Sequence, residues 1–218
     1  MRNNNGFTIA LSKGRILSPT LELFKKVGYD VKEMEKESRK LIFKDRENEI
    51  NFIMAKPDDV PIYVENGAAD LGVVGKDILI ESDSEFYELL DLKIGYCRMV
   101  LAQEKDARPT GMTVASKYPV ITEQFFKEKG KNANIIKLHG SIELAPLLNL
   151  ADLIVDLVST GKTLKENNLE EVETITDITT RLIANQGSYQ IKRKRINKLM
   201  KDLKEVIEWE KEAGVCNG

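Results

Sequence analysis

The chain has 218 residues, 42% of them apolar and 31% charged, a length that suits one large domain or two of about 100 residues each. Its 33 Lys and Arg against 35 Asp and Glu give a formal net charge of −2, which excludes a global basic field for gripping nucleic acid; any phosphate must be met by local cations. His139 is the single histidine, and Cys97 and Cys216 stand alone without CxxC spacing. These counts exclude a multi-histidine metal site and argue against a structural disulfide or a thiolate zinc site.

The N-terminal MRNNNGFTIALSKGR carries an apolar stretch too short for a signal-peptide core, and no run of about 18 apolar residues follows, so a cytoplasmic protein without a membrane span is expected. Phe7–Leu11 reads as a buried strand running into a polar turn, Ser12-Lys13-Gly14-Arg15, with two cations. Ser18-Pro19 opens a helix that Gly28 closes. Ile50–Met54 is a second strand, Asp58 or Asp59 caps a helix ending near Gly67, and Asp70–Val74 is a third strand. The Asp70-Leu71-Gly72 and Gly75-Lys76-Asp77 segments read as structural, their glycines allowing close strand–helix packing. Tyr96–Ala102 and Met112–Ala115 are strand-like, Pro119–Lys129 is a helix closed by Gly130, and Asn134–Leu138 returns to strand. Leu153–Leu157 (LIVDL) has the unbroken apolar character of a strand covered on both faces. Thr174–Leu182 is rich in β-branched residues and ambiguous. One long amphipathic helix is expected from Tyr189 to Glu212, with Ile196, Leu199, Leu203, Val206 and Ile207 on one stripe and the Lys192–Arg195 cluster on a solvated face. Alternating strands and helices imply an α/β architecture with largely parallel sheets.

The segment Asp152–Leu164, DLIVDLVSTGKTL, carries the strongest chemistry. A buried strand delivers Asp156 to its carboxyl end, where open α/β sheets bind ligands. In the Ser159-Thr160-Gly161-Lys162-Thr163 loop, Gly161 permits backbone geometries that let successive N–H groups converge on an anion. Thr163 with Glu166 has the spacing of a capping box, which sets the loop at a helix N-terminus. A Walker A loop needs a glycine five residues before Gly161, and that position is Asp156, so this reading fails. Apolar residues, an acid, a short spacer and T-G-x-T instead match a phosphoribosyl-pyrophosphate loop; a capped turn with no ligand is the plainer alternative. Ser12–Arg15 can cradle phosphates or be an ordinary surface turn. Arg39 and Lys56 are single cations whose default is solvation, His139 most simply plays a structural part, and Glu143 is either a surface helix residue or an adenine or ribose contact.

These pieces, in this order, resemble the ATP phosphoribosyltransferases. The matching runs are LSKGRI (Leu11–Ile16), DDVPIYVENGAADLGVVGKD (Asp58–Asp77), CRMVLA (Cys97–Ala102), VASKYP (Val114–Pro119) and GSIELAPLLNLADLIVDLVSTGKTL (Gly140–Leu164), and the resemblance spans about residues 7–185. Three positions depart from the family: Asn149 stands where glycine is usual, Lys56 where many members have arginine, and His139 where asparagine is common. The resemblance implies a two-lobed α/β fold like type II periplasmic binding proteins, with mixed, mostly parallel sheets and the active site in the inter-lobe cleft. Lobe I would be residues 1–92 with 183–218, and lobe II residues 93–182, carrying the loop. It implies a short-form catalytic subunit, working in a hetero-octamer with a regulatory subunit that resembles histidyl-tRNA synthetase.

The implied reaction moves the phosphoribosyl group of 5-phosphoribosyl-1-pyrophosphate to N1 of ATP, the first step of histidine biosynthesis, with Mg2+ bound through the substrate. On that basis Asp156 takes the ribose hydroxyls and Ser159, Thr160, Gly161, Lys162 and Thr163 the 5′-phosphate. Lys13, Arg15, Arg39 and Lys56 surround the pyrophosphate or ATP phosphates, and Ser12, Arg98, Ser141 and Glu143 contact ATP. Another phosphoribosyltransferase fits the loop but not the Leu11–Ile16 and Gly140–Pro146 runs. A solute-binding protein of the same fold gives no reason for DLVSTGKT and predicts a secretion signal.

Overall fold

The computed structural model describes residues 6–36, 39–107 and 111–212; Cys216 lies outside them. The chain forms two compact units, residues 1–95 with 179–218 and residues 96–178. The first contains β1 (Phe7–Ser12), α1 (Leu17–Lys26), β2 (Ile42–Asp45), β3 (Ile50–Ala55), α2 (Val60–Glu65), β4 (Leu71–Gly75), α3 (Lys76–Glu81) and β5 (Tyr87–Asp91). The second contains β6 (Cys97–Glu104), β7 (Thr113–Ser116), α4 (Pro119–Glu128), β8 (Asn134–Lys137), α5 (Leu144–Leu147), β9 (Leu153–Val158), α6 (Lys162–Glu166) and β10 (Leu169–Ile178). The chain then rejoins the first unit as β11 (Thr180–Ala184), α7 (Gln186–Ile191) and α8 (Arg193–Glu212). The ambiguous stretch 174–182 is thus strand throughout, divided at Thr179 between β10 and β11. β11 belongs to the first unit because it pairs antiparallel with both β4 and β5.

Both sheets are mixed. The first runs β2-β3-β1-β4-β11-β5 and the second β10-β6-β9-β7-β8. Parallel pairing joins β3-β1-β4 in one and β9-β7-β8 in the other, with antiparallel strands flanking them. Phe7, Ile9, Leu11, Phe24 and Phe52 form the first unit's core with Ile196, Leu199 and Leu203 of α8. Val100, Ala115, Ile154 and Val158 meet Ile142, Ala145 and Leu164 in the second. Gly72 makes the close approach its sequence suggested: a Cβ there would lie 2.8 Å from Val60 and Val64 of α2. Among the described residues no helix is long and apolar enough to cross a membrane.

The expected 189–212 helix is interrupted. α7 starts earlier, at Gln186, with the Asn185 side chain accepting the Ser188 amide at 2.8 Å, and the run breaks at Lys192. The cause lies 122 residues away in sequence. Lys192 turns inward to donate to both carboxylate oxygens of Asp70 at 2.9 Å and to the Gly6 carbonyl at 2.8 Å. Asp70, only 6% exposed, also accepts from the Thr8 amide and the Ser188 hydroxyl. Arg195 likewise turns in, donating to the Asn48 carbonyl and lying 4.8 Å over the Phe7 ring. The basic cluster is therefore half structural; only Arg193 and Lys194 are exposed. Removing Lys192 would leave a buried carboxylate without its counter-charge, a change that typically costs about 3 kcal/mol or more. Lys192→Met should lower the urea midpoint accordingly, and Lys192→Arg should recover most of the loss.

Candidate functional site

In the first unit, the parallel register sets Ser12 beside Ala55, so Lys13 and Lys56 leave the sheet side by side at the carboxyl edge. The Lys13 amide donates to the Ala55 carbonyl at 2.8 Å, which ties the turn down, and Gly14 takes φ 95° with open space around it. Lys13, Leu17, Met34, Lys36, Arg39, Lys40, Phe43 and Met54 line one pocket of about 590 Å³. The structure thus gathers Lys13 and Arg39 in one pocket with Lys36 and Lys40. Lys40 is engaged, reaching Glu33 at 2.6 Å and the Phe43 ring at 4.9 Å. Lys56 is exposed where β3 gives way to a tight Pro57–Asp59 turn before α2; Asp59 stands at the helix entry without a side-chain cap.

Two of the expected side chains in this unit are already committed. The buried Ser12 hydroxyl donates to the Val73 carbonyl at 2.8 Å, locking β1 to β4. Arg15 donates to the Gly95 carbonyl at 2.7 Å.

In the second unit, β9 carries Asp156, and β7 lies parallel beside it with Ser116 opposite Val155. The loop after β9 leaves Ser159, Thr160, Lys162 and Thr163 exposed. Gly161 takes the left-handed corner at φ 74°, a conformation that L side chains adopt only with strain. The expected capping box does not form. Because Gly161 makes the turn, α6 begins at Lys162, so Thr163 and Glu166 both lie inside a helix of 5 residues. Thr160 folds the loop back instead, its hydroxyl accepting the Lys162 amide at 3.4 Å.

Glu143 and Asp156 both face this edge. Burial pushes the Asp156 carboxyl up to about 6; the Leu157 amide, donating at 2.8 Å, opposes the rise, Glu143 adds to it, and Lys117 lowers it. Lys117, at the end of β7, and Glu171, beside the loop, were not singled out from sequence. A Cβ on Gly161 would sit 3.4 Å from the Glu171 carboxylate. Arg98 forks that carboxylate at 2.6 and 2.9 Å and reaches Thr174 at 3.2 Å, so the negative charge beside the loop is neutralised. The same hydrogen bond to Glu171 raises the Arg98 pKa further.

Ser141 is exposed and itself left-handed, at φ 48°. His139 is exposed at a bend rather than packed as a structural histidine. Asn149 occupies φ 54°, and the amides of Asn149 and Leu150 donate back to Pro146 and Ala145. This is a Schellman ending to α5, whose left-handed position glycine or asparagine fills; the departure at 149 therefore keeps the turn. Among the described residues no three His, Cys, Asp or Glu side chains gather in a way that could hold a metal.

The position of Asp156 makes a stability prediction. Its folded-state value of about 6 lies above the ordinary 3.8, so the folded chain keeps the proton to higher pH than the unfolded one. Ionisation therefore destabilises the fold progressively between about pH 4 and pH 6, by at most about 3 kcal/mol at 1.36 kcal/mol per pK unit. Asp156→Asn should raise the melting temperature above wild type at pH 8, with the gain gone by pH 4; thermal unfolding across pH reads this directly.

A family model described as ATP phosphoribosyltransferase matches residues 56–205. An ATP phosphoribosyltransferase of Syntrophotalea carbinolica is 51% identical over 207 residues, covering 92% of this chain and 94% of its own length. In three dimensions, an ATP phosphoribosyl transferase (HisG:HisZ) complex from Thermotoga maritima aligns with TM-score 0.77 and 37% identity, over 93% of this chain and 98% of that one. The periplasmic aliphatic sulphonate binding protein SsuA of Escherichia coli shares the fold alone, with TM-score 0.59 and 10% identity over 95% of this chain and 74% of that one.

Proposed function

The chain belongs to the ATP phosphoribosyltransferase family, and from that premise we propose that it transfers the phosphoribosyl group of 5-phosphoribosyl-1-pyrophosphate to N1 of ATP, releasing pyrophosphate as the first step of histidine biosynthesis. The observation that carries this reading at the level of chemistry is the β9 edge. A half-buried carboxylate is followed at once by an exposed loop turning on a left-handed glycine.

Each group has a part suited to its chemistry. Asp156 accepts hydrogen bonds from the ribose hydroxyls, and the Ser159–Thr163 loop holds the 5′-phosphate with its amides and the Ser and Thr hydroxyls. In the first unit, Lys13, Arg39 and Lys56 draw negative charge as the diphosphate departs. Arg15 joins them if its bond to Gly95 is exchanged for substrate. Glu143 and Ser141 face the ATP side. Ser12 and Arg98, both engaged within the protein, act by holding the turn and by neutralising Glu171.

The nucleophile is a neutral ring nitrogen with a free lone pair, so no side-chain base is needed to generate it. As C1 of the ribose gains cationic character, charge accumulates on the leaving group, and interactions that strengthen at that moment lower the barrier. Mg2+ enters as part of the diphosphate substrate and shares that charge, since this ion keeps most of its ligands as water and phosphate oxygens. The enzyme works with a regulatory partner subunit, a reading supported by the HisG:HisZ complex of its Thermotoga relative, and its place is the cytoplasm.

Incubating the chain with ATP, phosphoribosyl pyrophosphate and Mg2+ and measuring pyrophosphate release, with and without the partner, tests the activity. Lys13→Ala should cost about 10²–10³ in turnover, by analogy with the loss of one oxyanion donor; unchanged turnover would refute its assignment. Thr160→Val with Gly161→Val should abolish donor affinity in calorimetry, while retained affinity would remove the phosphate from this loop.

A further inference from the structure

Lys117 has no place in the roles assigned so far, yet its surroundings are built rather than incidental. It follows β7 directly, where the parallel register sets Ser116 beside Val155, so Lys117 emerges next to Asp156 at the same carboxyl edge. The preceding residue is fixed twice. The buried Ser116 hydroxyl donates to the Val155 carbonyl at 2.7 Å and accepts the Tyr118 amide at 2.9 Å. Tyr118 is itself buried, its carbonyl accepts the Thr122 hydroxyl of α4, and its ring lies 5.8 Å from the Lys117 ammonium. These bonds hold the backbone on both sides of Lys117.

The other charges around Asp156 are disposed differently. Glu143, at the start of α5, is of like sign and disfavours a second negative charge. From β6, Arg98 is taken up by Glu171 of β10, and on α6 the exposed Lys162 lies 3.7 Å from Glu166. Lys117, of opposite sign, favours the ionised form of Asp156.

We propose that Lys117 is a positioning residue that keeps Asp156 ionised, and so able to accept the ribose hydroxyls of the phosphoribosyl donor, against burial and the neighbouring Glu143. A protonated Asp156 would present one hydroxyl donor and weaker acceptors to a diol that itself donates. Near neutral pH the margin is narrow, because burial and Glu143 outweigh the Leu157 amide and Lys117 and hold this carboxyl at about 6. The proposal rests on Asp156 as the ribose acceptor.

The test separates the two claims. Carbon-13 NMR of the Asp156 carboxyl, assigned by its loss in Asp156→Asn, follows titration in the free protein with no donor present. Lys117→Met should move that midpoint upward, while Lys117→Arg should leave it near the wild-type value. Calorimetry with phosphoribosyl pyrophosphate then gives the consequence. At pH 8 Lys117→Met should bind nearly as tightly as wild type, whereas at pH 6.5 its affinity should fall several-fold further than that of wild type. An unmoved carboxyl midpoint in Lys117→Met would overturn the proposal. So would an equal loss of affinity at every pH, which marks direct substrate contact or a disturbed fold. Wild-type affinity that ignores the ionisation of Asp156 would instead remove Asp156 from the ribose, whatever Lys117 does to its titration.

Discussion

Parallel strand pairing is the constraint on which the rest of the structure depends. Adjacent parallel strands end at the same edge, so whatever residue follows each strand is delivered beside its neighbour. In the first unit the register that pairs Ser12 with Ala55 brings Lys13 next to Lys56. In the second, the register that pairs Ser116 with Val155 brings Lys117 next to Asp156. A slip of one residue would turn every side chain of the strand to the opposite face. Ile9, Leu11, Ile154 and Val158 are close-packed in the cores, and a slip would lose the fit of each large side chain to its place. Apolar burial therefore fixes the placement of charged groups that contribute nothing to the core themselves.

The two edges carry opposite chemistry. The first is cationic, with Lys13, Lys36, Arg39 and Lys40 around one pocket, which suits anions that must be drawn off. The second sets Asp156 and Glu143 beside the loop, with Glu171 already neutralised by Arg98. Carboxylates suit hydroxyl donors, and a phosphate brought here would meet repulsion from them. In the proposed reading the phosphate is served by main-chain amides, and the left-handed turn at Gly161 suits that part. The burial that raises the Asp156 carboxyl also weakens the fold at neutral pH, where the group is ionised.

Much of this was legible in the sequence where the signal was local. FTIAL and LIVDL read as strands because both faces are covered and the apolar run is continuous. The edge strands β2 and β5 were not read, because IFKD and YELLD are short and charged, with at most one buried face. The break at Lys192 was invisible because the apolar stripe continues past it, and its cause, Asp70, is distant in sequence. The same division holds at the site. Asp156 and its loop form one contiguous motif. The company of Lys36 and Lys40, the engagement of Ser12 by Val73, and the fork of Arg98 on Glu171 are all set by tertiary register. Lys117 left a trace, a cation between a strand and a Tyr-Pro helix start, but nothing local tied it to an acid one strand away.

The departures from the family pattern keep the backbone geometry at one position and the charge at another. At 149 the backbone needs a left-handed residue, and asparagine supplies it at lower strain than other L residues. At 56 lysine keeps the positive charge and gives up the planar fork of arginine. At 139 an exposed histidine replaces asparagine without entering any buried network. A reaction whose nucleophile is a neutral nitrogen makes no demand on that imidazole for proton transfer. Its demands are for charge at the departing diphosphate and for hydroxyl acceptors at the sugar, and the residues proposed to meet them stand where the strand register puts them.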